Sequence, residues 1–237
     1  MSVGLRKNGT PLGMKLRIAV MILLCLVLLL SGLWWIWTGW NPDRDAYPLQ
    51  GISVSARQGP IDWSGLRLHD IDFVYIRAVS AAQKRDPRFS DNWTGARNAG
   101  LRYGAELDYD PCIPASDQAT LFITTVPRDN AALPPSVHLD LPMDCEGRAP
   151  GRDAILSELN TLINLIEAHS GKPVLLHIAK TFEDRYDISR GINRTLWLDR
   201  NYFAPDYASR RWVMWTANDM RSISGISGTV SWNVVAP

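Results

Sequence analysis

Residues Gly51–Trp63 read "GISVSARQGPIDW". Their opening "GISVS" has the small and β-branched residues of a short strand. Immediately upstream, Asn41–Tyr47, "NPDRDAY", is a short polar linker, and before it lies a long apolar run. Downstream, short apolar segments alternate with helical ones to the end of the chain. The stretch therefore opens a folded domain of residues 49–237, and its strand is the first of a series.

The apolar run, Ile18–Trp37, "IAVMILLCLVLLLSGLWWIW", holds 20 residues without a charge. As a helix it spans about 30 Å, the thickness of a bilayer's hydrocarbon core. A cleaved signal peptide is the competing reading, but its apolar region is shorter, roughly 7–15 residues, and ends at small residues. Here the run ends among Trp34, Trp35, Trp37 and Trp40, an aromatic belt suited to a membrane interface. Residues 18–40 are thus expected to be an uncleaved signal anchor, contacting the membrane through 18–37. Residues 1–17 carry Arg6, Lys7, Lys15 and Arg17 and no acid, so this tail is expected to stay cytoplasmic. The following domain then lies in the periplasm or outside the cell, on a single-pass protein.

Charge excludes one class of partner. Beyond residue 17 the chain has 21 basic and 24 acidic side chains, which is no footprint for nucleic acid. Cys25 falls in the apolar run and reads as an inert core-like residue. Cys112 and Cys145 are the other two cysteines, and a disulfide between them suits an exported domain. Two cysteines without CxxC or HxxxH spacing make a poor zinc set, so no metal is expected.

Further strands are predicted at Asp72–Ser80, Leu101–Asp110, Ser136–Leu141, Lys172–Ala179, Arg194–Arg200 and Arg210–Asn218. Helices are predicted at Phe89–Gly100, at Ser116–Val126 with a Ser or Asp cap, and at Arg152–Gly171. This alternation argues for a mostly parallel sheet closed, or nearly closed, into a β/α barrel. About 190 residues is short for eight full units, so an incomplete, flattened barrel is expected. In such barrels the chemistry collects at the C-terminal ends of the strands. There, His138 and Asp140 are two residues apart on one strand, and Glu106 and Asp108 two apart on another, so each pair shares a face. Carboxylates so placed suit glycoside hydrolysis, which needs an acid and a second group that attacks or stabilises the sugar cation.

The segments "GISVSARQGPIDW", "DFVYIRA", "DPRFSDNWTGARNAGLRYGA", "DQATLFITTV", "LPPSVHLDL", "LWL" and "GISGTVSWNVV" resemble, in order and spacing, glycoside hydrolase family 25, the Chalaropsis-type lysozymes. The resemblance covers about residues 50–234. It implies an incomplete β/α barrel that cleaves the β-1,4 bond after N-acetylmuramic acid in peptidoglycan glycan strands, with no metal and no cofactor. The family's acid positions are altered here. Its opening aspartate falls on Ser53, and its Asp-x-Glu on His138-Leu139-Asp140, so the general acid maps to Asp140. Its C-terminal Asp-x-Asn falls on Ser231-Trp232-Asn233. Tyr75, Trp197 and Trp215 keep the large aromatics that the family places near the sugar groove, and Asn233 joins them as a substrate-binding candidate.

Three functions follow as expectations. The first is a membrane-anchored lysozyme-like domain directed at peptidoglycan, with hydrolysis weak or lost. The second is an active muramidase in which Asp140 is the acid and Glu106 or Asp108 a new partner. The third is a non-catalytic envelope scaffold that binds a protein.

Overall fold

The computed structural model describes residues 12–66, 69–142, 145 and 147–237. The chain forms two units that part after Gly39. In the first, helix α1 (Leu12–Gly39) contains a span, Met14–Gly39, that is long and apolar enough to cross a membrane, with mean hydropathy 2.7. Arg6 and Lys7 of the basic tail lie outside the described residues.

The second unit, Trp40–Pro237, is built on nine strands among the described residues. They are β1 (Gln50–Val54), β2 (Phe73–Ser80), β3 (Lys84–Arg85), β4 (Arg102–Tyr109), β5 (Ser136–Leu139), β6 (Leu175–Ile178), β7 (Thr195–Asp199), β8 (Met214–Arg221) and β9 (Val230–Val235). All but β3 close a ring in the order β1-β2-β4-β5-β6-β7-β8-β9 and back to β1, while β3 extends β2 outside it. The barrel is thus closed, with eight strands. Seven run parallel, and β9 lies antiparallel between β8 and β1.

The incompleteness is in the helical layer. Helices α3 (Phe89–Asn98), α4 (Ala115–Thr125), α5 (Arg152–Ser170) and α6 (Lys180–Tyr186) cover the arc from β2 to β7. Short turns, α2 (Trp63–Leu66) and α7 (Ile188–Gly191), add little, and among the described residues no helix joins β7 to β8 or β8 to β9. The predicted strand at Arg210–Asn218 begins only at Met214. Arg210 instead spends its guanidinium on the carbonyls of Ser189, Ile192 and Arg194, holding the chain out of the ladder. Helix α4 begins at Ala115, after Pro114, with no Ser or Asp side-chain cap. Glu158 of α5 does that work, accepting the Ala115 N–H at 2.7 Å. The polar segment before β1 is fastened to the barrel: Tyr47 packs edge-on against Trp215, and Arg44 pairs with Asp72 at 3.0 Å.

Side chains alternate in and out along each strand. The outward rows pack under the helices as the larger core, with Ile52, Val74, Leu107, Val137, Leu176 and Leu198 all fully buried. The inward rows fill the barrel floor with Phe73, Tyr75, Leu175, Trp197 and Met214. Two glycines make room for them. A Cβ on Gly51 would lie 2.3 Å from the Phe73 carbonyl oxygen, and one on Gly104 2.6 Å from the Tyr75 ring.

Candidate active site

Above the aromatic floor the inward rows turn polar. On β4 the row through Gly104 continues to Glu106 and Asp108, on β5 it is Ser136 and His138, and on β6 Leu175 leads to His177. On β7 it is Trp197 and Asp199, and on β2 Tyr75 leads to Arg77. Four rings line this axis: Tyr75 is tilted against Trp197 at 5.0 Å, Trp197 stacks on His177 at 3.8 Å and 6°, and His177 lies tilted beside His138 at 4.4 Å. The column leads from the hydrophobic floor to a cleft of about 660 Å³ at the C-terminal ends of the strands.

Cations and carboxylates alternate along this layer. Arg77 Nε lies 2.8 Å from Asp108, whose other oxygen is 3.3 Å from His138 Nδ1. His138 Nε2 lies 3.7 Å from Asp199, and His177 Nε2 lies 2.6 Å from the same carboxylate. His177 Nδ1 is 2.8 Å from Glu106 Oε2, to which the Ser136 hydroxyl also donates at 3.1 Å. Burial disfavours charge on both imidazoles, but the neighbouring carboxylates outweigh it: His138 is held well above its ordinary pKa, and His177 is raised. Burial likewise opposes ionising Asp108 and Asp199, and the imidazoles beside them reverse it, lowering both.

The residues expected from the sequence take distinct places. Glu106, Asp108 and His138 meet in this layer. Asp140 lies one residue beyond the end of β5 at Leu139 and lines the same cleft as His138. Asp140 is exposed at the cleft mouth, accepting from the Leu141 N–H at 2.8 Å and the Thr181 hydroxyl at 3.0 Å. Ser53 and Ser231 face each other across β1 and β9 and both line the cleft.

The four substrate-contact candidates lie elsewhere. Tyr75, Trp197, Trp215 and Asn233 are each at most 3 % exposed, and none lines the cleft. Tyr75 and Trp197 belong to the barrel floor, Trp215 to the outer core, and Asn233 donates to the Ser53 hydroxyl at 2.9 Å. Their size and polarity serve packing in these positions. The expected disulfide is formed: Cys112 and Cys145 join the loops that follow β4 and β5, above the cleft.

His177, Asp199 and Arg77 are not among the residues expected from the sequence, although two of them carried a signal. Asp199 stands two residues after Trp197 at the end of its strand, and Arg77 two after Tyr75, so alternation alone puts both on the inward face.

Comparison with known proteins places this geometry. The description "Glycosyl hydrolases family 25" matches residues 52–226. The chain is 28% identical over 199 residues to Uncharacterized protein YegX of Escherichia coli, covering 80% of this chain and 70% of that one. It superposes on a family 25 glycosyl hydrolase from Bacillus anthracis with TM-score 0.75 and 27% identity, over 84% of this chain and 92% of that one. A bacterial lysozyme from Streptomyces coelicolor gives TM-score 0.72 and 26% identity, over 79% and 91% of the two chains.

Proposed function

The chain belongs to glycosyl hydrolase family 25, and from that membership we propose that it is a membrane-tethered, lysozyme-like domain that binds peptidoglycan glycan with hydrolysis weak or lost. The lysozyme among its structural relatives supports the glycan as ligand. One observation carries the loss of hydrolysis: each carboxylate of the inward-facing layer at the base of the cleft, Glu106, Asp108 and Asp199, is already engaged by a cation. Glycoside hydrolysis needs one carboxyl free to donate a proton and another free to face the sugar cation. Asp108 is held by Arg77 and His138, Asp199 by both imidazoles, and Glu106 by His177. That leaves Asp140 and Asp219, both exposed on the cleft wall and outside the layer, with Asp219 held by the Asn201 amide at 2.8 Å. General acid catalysis by itself is worth about 10²–10⁴-fold. Glu106 and Asp108 are poor partners for Asp140 in their present ion pairs. The apolar helix supports tethering, with the barrel on the oxidising side of the membrane, where a disulfide persists.

The test uses purified peptidoglycan and the full chain in mild detergent, beside Asp140→Asn and Glu106→Gln. The chain is expected to sediment with the glycan and to release no more soluble muropeptide than Asp140→Asn. Release by the native chain that vanishes in Asp140→Asn would instead establish a working muramidase, and loss in Glu106→Gln would identify its partner. Neither binding nor release would leave the envelope scaffold.

A further inference from the structure

Both cleft imidazoles present the same edge to the same carboxylate. His177 Nε2 lies 2.6 Å from one Asp199 oxygen, and His138 Nε2 3.7 Å from the other. One donor atom from each of the three side chains falls within 4.8 Å of the other two. A tetrahedral ion with bonds of roughly 2.0–2.1 Å holds its donors about 3.3 Å apart, between the two observed separations. A small swing of the Asp199 carboxylate therefore brings both separations, one shorter and one longer, to the spacing of two donors on one ion.

The far edges of the imidazoles are equally ordered. His177 Nδ1 is backed by Glu106 at 2.8 Å, and His138 Nδ1 by Asp108 at 3.3 Å. An imidazole whose second nitrogen is held by a carboxylate is the usual arrangement of a metal-ligating histidine, fixing the ring and raising its basicity. An ion-pair network requires no such convergence of two Nε2 atoms on one carboxylate. From this juxtaposition we infer that His138, His177 and Asp199 form a binding site for one divalent first-row transition ion, with zinc the best match to two imidazoles and a carboxylate. Three protein ligands leave positions open toward the cleft, so the ion is placed to take water or an oxygen of whatever the cleft binds. The site is independent of the glycan reading: it follows from three side chains whether or not glycan enters.

The test is metal binding by the untagged full chain in detergent, stripped with a chelator and titrated with Co²⁺ and then Zn²⁺. One Co²⁺ per chain is expected, with the intense visible absorption of a four- or five-coordinate ion, displaced by one Zn²⁺. His138→Gln and Asp199→Asn are expected to abolish that absorption. Glu106→Gln, which touches only the backing carboxylate, is expected to keep one ion while weakening binding about 10–100-fold. His138 is partly exposed at the cleft, so His138→Gln decides the matter if Asp199→Asn does not fold, with far-UV circular dichroism as the check. Absence of a stoichiometric ion would overturn the inference. So would an absorption unchanged in His138→Gln.

Discussion

His138 is pulled in two directions: burial favours its neutral form, while Asp108 and Asp199 favour the imidazolium and prevail. The consequence for stability has a definite sign. A group whose pKa is raised on folding contributes fully below its unfolded value, about 6.5, and loses that contribution as pH climbs through the raised value. His177 acts in the same sense. Asp108 and Asp199 are lowered, so they contribute fully above about 3.8 and lose it as pH falls through their depressed values. The metal-free chain is therefore expected to melt highest between roughly pH 4 and 6.5. His138→Gln should lower stability at pH 5 by about 1–3 kcal/mol, the worth of a charge-assisted hydrogen bond, and flatten the alkaline decline. Thermal melts from pH 4 to 9 in chelator check this, and an unaltered pH profile in the variant would refute it. At this scale the sequence was partly legible. Parity put Glu106 and Asp108 on one face, but that His177 and Asp199 converge on His138 depends on the neighbours of β5, which only the closed sheet supplies.

The elements themselves were the most legible part. Alternating β-branched and aromatic runs located β1, β2, β4, β5, β6 and β7, and helical periodicity located α3, α4 and α5. Strand β9 was not predicted, since its segment was recognised only as part of a family motif. Its inward residues, Ser231 and Asn233, are polar and its outward ones, Trp232 and Val234, are buried. What the pattern could not convey is why the second residue of β1 is glycine. Gly51 stands beside Phe73 on the inward face, and a methyl group there would meet a backbone oxygen that cannot rotate away. Gly51→Ala is expected to cost about 3 kcal/mol, the upper end of ordinary overpacking. Gly147→Ala, which meets nothing within 4 Å, should be near neutral. Urea unfolding of the two variants makes the comparison, and equal midpoints would show that the β1–β2 seam yields more easily than its geometry indicates.

On the scale of the whole molecule, ring closure concentrates the chemistry and the cross-link secures it. The loops after β4 and β5 carry Cys112 and Cys145, while β4 and β5 themselves carry Glu106, Asp108 and His138, so the disulfide braces the two strands that supply half the polar layer. The bond spans 33 residues, and chain-entropy reasoning assigns a loop of that length about 3–4 kcal/mol. For a domain of this size that corresponds to roughly 10 °C in Tm. Because the loops it holds lie above the cleft, its loss should loosen the mouth around Asp140 before it unfolds the floor. Replacing both cysteines with serine is accordingly expected to lower Tm by that amount while leaving the near-ultraviolet signal of the buried Trp197 stack largely intact below the transition. The same bond reports the compartment. In cells, a barrel exported behind an uncleaved anchor should stay with the membrane fraction at full length, with Cys112 and Cys145 unreactive to thiol reagents until reduced. A soluble product lacking the apolar helix would identify that helix as a cleaved signal, and reactive thiols in a membrane-bound full-length chain would place the barrel on the reducing side.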